Sequence, residues 1–112
     1  MKAIVWPREH SLLSEDFEDR LVDRLKGRVE AAYFFGSYGT PRFRPDSDVD
    51  LILIVQTERP FVERPRLFDD LYALYPRLDI LVYTPGEFER LQAETVGFWA
   101  SVKASLRPVK TF

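Results

Sequence analysis

Two aspartates one residue apart, Asp48 and Asp50, stand at the entry to an apolar run, VDLILIV, at 49–55. In a strand, residues i and i+2 point to the same side, so both carboxylates emerge together where a loop meets a sheet. Paired carboxylates repel each other unless a cation sits between them. Hard oxygen donors of this kind suit Mg²⁺, which keeps several waters and is held by one or two carboxylates plus substrate phosphates. Asp79 is a third candidate, because it lies in LDILVY, at 78–83, where a lone carboxylate is expensive to bury. If the 49–56 and 78–83 strands are neighbours, three carboxylates meet. That is enough to hold two metals in the arrangement used for in-line attack on phosphorus. Upstream, Gly36 and Ser37 end another apolar stretch. Glycine lets a backbone approach a phosphate closely, and a serine hydroxyl can hydrogen-bond it. A helical turn starting there would aim free N–H groups at the same anion. Ten residues separate Ser37 from Asp48, a spacing that puts phosphate grip and metal ligands on one rim.

The elements that must position these groups are legible in the pattern. Residues 14–26 predict a helix, with Ser14 as cap, Glu15 and Asp16 in the first turn, and Phe17, Leu21 and Leu25 recurring every four residues. Gly27 stops it. A strand is expected over 29–35 and a Gly- and Pro-punctuated loop over 38–47. The 49–56 strand carries a continuous apolar run, as expected of burial on both faces. Pro60 and Pro65 bracket a connection whose Arg59, Arg64 and Arg66 are expected at the surface. Leu67, Phe68, Leu71, Leu74 and Tyr75 mark a helix ended by Pro76. After the 78–83 strand, Thr84-Pro85-Gly86-Glu87 reads as a capped helix start, with Glu87 closing a capping box. A last helix over 98–106 precedes an extended tail, 108–112. The 49–56 and 78–83 strands are expected at the centre of a small mixed sheet with flanking helices, an α/β (α+β) fold.

Length and composition bound the rest. The chain has 112 residues, and 1–112 is expected to form one domain with one core. No cysteine is present, which excludes a disulfide framework, a thiolate zinc site and a cysteine nucleophile. The one histidine, His10, excludes histidine-rich metal chemistry and is expected to be structural or exposed. A net charge of −2 gives no electrostatic footprint for nucleic acid or membrane. No apolar run approaches a membrane span, and the N-terminal run is too short for a signal peptide, so the expected compartment is the cytoplasm. Asp46 reads as a turn residue. Arg42 and Arg44 are either solvated loop residues or contacts to a triphosphate. Tyr33, Phe34 and Phe35 read as core. Phe98 and Trp99 either cover the sheet or form a partner face.

The segment FFGSYGTPRFRPDSDVDLILIV, at 34–55, resembles the signature of the minimal nucleotidyltransferases of the DNA polymerase beta superfamily. That pattern is an apolar strand, G-S, ten residues, D-x-D and a second apolar strand, with a third acid in a later strand. TPGEF, at 84–88, resembles the helix start that follows, and the likeness covers about residues 15–95. It implies a polymerase beta-like core that uses ATP and two Mg²⁺ ions. Asp48 and Asp50 would bridge the metals, Asp79 would hold the metal nearest the attacking hydroxyl and assist its deprotonation, and Gly36 and Ser37 would grip the β,γ-phosphates. Many members are antitoxins of HEPN/MNT pairs, so the resemblance also implies a HEPN toxin as partner and AMP transfer to a tyrosine of that toxin. No membrane or direct nucleic-acid contact is expected. A hetero-oligomer is the expected assembly, with a homodimer as the other. Where many members carry an A-R-G-like triplet, this chain has Gly39-Thr40-Pro41. Two alternatives stand beside this reading: an antitoxin that neutralises by binding alone, and an enzyme that nucleotidylates a small molecule.

Overall fold

The structure is a computed structural model that describes residues 15–109. Ser14, expected to cap the first helix, His10 and the tail from 110 lie outside the described residues. Helix α1, Glu15–Leu25, buries Phe17, Leu21, Val22 and Leu25, one apolar stripe at helical spacing. It ends where Gly27 takes a φ of 76°, a left-handed conformation that costs glycine little.

Four strands form one mixed sheet in the order β3-β2-β1-β4. Strand β1, Ala31–Phe35, runs antiparallel to β2, Val49–Ile54, and β2 runs parallel to β3, Leu78–Tyr83. The short β4, Arg107–Pro108, pairs antiparallel with β1. The expectation that 78–83 is central is corrected, because β3 is an edge strand. Its burial alternates, with Leu78, Ile80 and Val82 buried and Asp79 exposed, whereas β2 is buried at every position but Asp50. That alternation is what one covered face requires.

One face of the sheet, carrying Phe34, Leu51, Leu53, Ile80 and Val82, packs against α1 and against Phe68 and Leu71. The opposite face, carrying Phe35, Ile52 and Ile54, is covered by Phe88, Trp99 and Val102. These come from α2, Pro85–Leu91, and α3, Gly97–Ser105.

The helix expected over 67–75 is instead a run of 3₁₀ turns over Phe61–Ala73, interrupted at Phe68. Pro65 lies inside this run. The break falls at Phe68, whose φ of −123° and ψ of 26° are non-helical, so the apolar residues from Leu67 to Tyr75 do not form one continuous α-helical stripe. The surface placement expected for Arg64 is also corrected, since only 6% of Arg64 is exposed. Its guanidinium meets Glu87 at 2.7 and 3.2 Å, the Val82 carbonyl at 3.1 Å and the Arg59 carbonyl at 2.8 Å. Buried charge is tolerated when paired and hydrogen-bonded in this way. Glu87 also closes the expected capping box, accepting from the Thr84 amide at 2.9 Å while Thr84 Oγ1 accepts from the Glu87 amide at 3.2 Å.

Candidate active site

Strand register brings two of the three acids together. Asp50 lies opposite Phe35 of β1 on one side and Asp79 of β3 on the other. By alternation both acids point to the face covered by α2 and α3. Asp50 is half-buried and Asp79 is exposed. Asp48 precedes β2 and is exposed, with its Oδ1 3.5 Å from Arg77 Nε. An ion pair so open to solvent is worth under about 1 kcal/mol and leaves Asp48 free to take another partner. The backbone on either side of Asp48 is pinned. The Val49 amide donates to the Arg77 carbonyl at 3.0 Å, and the Tyr75 hydroxyl donates to the Ser47 carbonyl at 2.6 Å.

Gly36 explains how the Asp50 carboxylate can lie over the turn that leaves β1. The glycine has a φ of 76°, and a Cβ built there would overlap Asp50 Oδ2 and stand 3.4 Å from its Cγ. Any side chain at position 36 would displace the carboxylate. The Gly36 amide is not directed at open space, since it donates to Ser105 Oγ at 2.9 Å. A Gly36 N–H grip on phosphate, one part of the expected role of Gly-Ser, is therefore already engaged within the protein. Ser37 opens a series of turns in which its carbonyl accepts from the Thr40 amide at 2.9 Å and from Thr40 Oγ1 at 2.7 Å. Tyr38, 2% exposed, anchors those turns against Phe34 and Phe43, with ring centroids 4.6 and 5.2 Å away. Arg44 folds back on its own loop, donating to the carbonyls of Pro41 at 3.0 Å and Phe43 at 3.3 Å, while Arg42 is exposed.

Asp50 is pushed up to about 6 by burial first, and then by the charges of Asp79 and Asp48. A site that raises a carboxyl in this way gains from any cation that neutralises it. The donors are carboxylate oxygens, the set that suits Mg²⁺, and in this respect the residues fit a divalent ion. As the side chains stand, no group of three or more acids, histidines or cysteines closes into a metal cage among the described residues. A divalent ion held here would take its remaining ligands from water or from a bound phosphate.

Four contributors escape the sequence pattern. Tyr75 and Arg77 hold the approach to Asp48, and Ser105 and Arg107 hold the turn at Gly36. Arg107 donates to the Gly36 carbonyl at 3.3 Å and to the Tyr38 carbonyl. It lies 71 residues from Gly36, a separation that no local motif spans. The two-residue pairing of β4 on β1 creates the contact.

No curated protein and no solved structure matches the chain. The family model described as Polymerase beta, Nucleotidyltransferase matches residues 20–97. The match runs from within α1 to the start of α3 and takes in the Gly-Ser turn and all three acids. Proteins of this family generally use a nucleoside triphosphate and divalent metal. With more than half its length matched, and with the mixed sheet that such a core requires, the chain belongs to the polymerase beta nucleotidyltransferase family.

Proposed function

We propose that this protein is a Mg²⁺-dependent enzyme that moves AMP from ATP to a protein hydroxyl, a tyrosine of a cognate HEPN toxin, and so acts as an antitoxin. The observation that carries the reading is the strand register that sets Asp50 between the Gly36 turn and Asp79 in a chain of this family. Asp48, Asp50 and Asp79 are the residues that would hold Mg²⁺. The ion supplies charge neutralisation to the transferring phosphoryl group. The Gly-Ser turn positions the triphosphate beside the acids. The acceptor oxygen forms a bond to the α-phosphorus, the bond to the bridging oxygen breaks, and pyrophosphate leaves. Asp79, exposed on the edge strand, would take the hydroxyl proton.

A second reading, an antitoxin that binds without catalysis, draws support from Arg44 and the Gly36 amide, both already committed within the protein. Intact mass of the toxin separates the two. Incubation with ATP and Mg²⁺ is expected to add the mass of one or more AMP units. The Asp48→Asn/Asp50→Asn protein is expected to transfer several orders of magnitude more slowly, because electrostatic stabilisation dominates such barriers, while still binding the toxin. A toxin neutralised without any mass change by either protein contradicts transfer and favours the binding reading.

A further inference from the structure

We propose that Arg107 is the positioning residue of the nucleotide site, fixing the Gly-Ser turn so that the amides of Ser37 and Gly39 face a phosphate. This inference rests on the nucleotidyl-transfer reading and names how this chain grips its triphosphate. The Arg107 guanidinium donates to three carbonyls, those of Ser105 at 2.8 Å, Gly36 at 3.3 Å and Tyr38. A trans peptide points its N–H opposite to its C=O. Drawing the carbonyls of Gly36 and Tyr38 toward Arg107 therefore turns the N–H groups of Ser37 and Gly39 away from it. Among the described residues neither of these amides donates a hydrogen bond. N–H groups of one turn aimed to the same side make a concavity that binds anions.

The rest of the environment agrees. The Gly36 amide is held by Ser105 Oγ, so both sides of the Gly36 residue are tied to the segment that ends α3 and starts β4. A Cβ at Gly39 would stand 3.4 Å from Arg107 Nε, so the guanidinium lies flat against the turn. Among the described residues no carboxylate forms an ion pair with Arg107. Burial pushes its pKa down from the ordinary arginine value, because loss of water disfavours the charged form. Arginine suits this task because its planar fork reaches several acceptors at once, whereas a lysine ammonium on a flexible stem holds them with less preorganisation.

The test compares wild type, Arg107→Ala, Arg107→Lys and Val109→Ala. Val109 is a buried neighbour on the same terminal segment, with its amide on the Ala32 carbonyl, and its truncation loosens packing without touching the turn. Two quantities are read: the slowing of hydrogen exchange at the Ser37 and Gly39 amides when ATP and Mg²⁺ are added, and affinity for ATP with Mg²⁺. Arg107→Ala is expected to abolish most of that ligand-induced slowing at both amides and to weaken ATP binding by about tenfold or more, the worth of charge-assisted hydrogen bonds. Arg107→Lys is expected to fall between, which keeps the test open if the alanine protein does not fold. Val109→Ala, compared at a temperature where it is fully folded, is expected to match wild type in both. Unchanged ligand-induced slowing and affinity in the Arg107 variants would overturn the proposal, as would equal weakening in Val109→Ala. A wild type that binds no ATP and shows no slowing at either amide would overturn the nucleotidyl-transfer reading and the phosphate role together.

Discussion

Asp50 costs the protein stability in its ionised form. Its ordinary pKa of 3.8 rises to about 6 in the fold, so the folded chain holds the proton more tightly than the unfolded chain. The penalty is absent well below pH 4, grows between the two values and is complete above about pH 6. Asp50→Asn is therefore expected to stabilise the protein at pH 8 by about 1–2 kcal/mol, a figure reduced for the solvent that screens a half-open group, and to leave stability at pH 3.5 unchanged. Denaturant unfolding at the two pH values measures it. Equal effects at both would mean that packing, rather than charge, sets the change. At this scale the sequence was most informative. The types and spacing of Gly36, Asp48, Asp50 and Asp79 pointed to a single rim, because side-chain alternation in a strand is a fixed geometric rule. Register then placed Asp50 beside Asp79. What spacing could not tell is that Gly36 serves the Asp50 carboxylate, since that depends on how closely two strands approach.

Among the elements, the corner where the 3₁₀ run meets α2 is held by charge. Glu87 is depressed to about 2, first by the hydrogen bond from Arg64 and then by the Thr84 amide. A depressed carboxylate adds stability that is present above its unfolded value near 4.5 and is lost as pH falls toward 2. Glu87→Gln is thus expected to lower the melting temperature by several degrees at pH 7 and to make little difference near pH 2. A loss of the same size at both pH values would show that shape, not ionisation, is what Glu87 contributes. The capping box was visible in TPGE because its four residues are contiguous. Arg64 was misread because composition places arginine at surfaces, and its partners lie 18 and 23 residues away. The apolar residues from Leu67 to Tyr75 fit a helical spacing, and the interruption at Phe68 leaves no mark in that pattern.

At the scale of the whole molecule, two covered sheet faces have different work. The face under α1 carries the larger cluster of buried residues, while the face under α2 and α3 also bears Asp50 and Asp79 at its edge. Phe98, 63% exposed, rests edge-on against Phe35 with ring centroids 6.4 Å apart. Phe35 pairs with Asp50. The sequence separated strands from helices well but ranked the strands wrongly, because an apolar run on an edge strand looks central until its one exposed acid is weighted. It could not show β4 closing the sheet over the Gly-Ser turn, since two residues of pairing leave no periodic signal.

The central claim is that the acids and the Gly-Ser turn form a metal-nucleotide site. Its most direct test is titration of wild-type and Asp48→Asn/Asp50→Asn protein with an ATP analogue that cannot be cleaved between the α- and β-phosphates, with and without Mg²⁺, followed by calorimetry. Wild type is expected to bind the analogue in the presence of Mg²⁺ and about tenfold or more weakly in its absence. The double variant, folded and no less stable than wild type at pH 8, is expected to lose the Mg²⁺-dependent part. Binding that is the same with and without Mg²⁺, or undiminished in the double variant, would contradict the account.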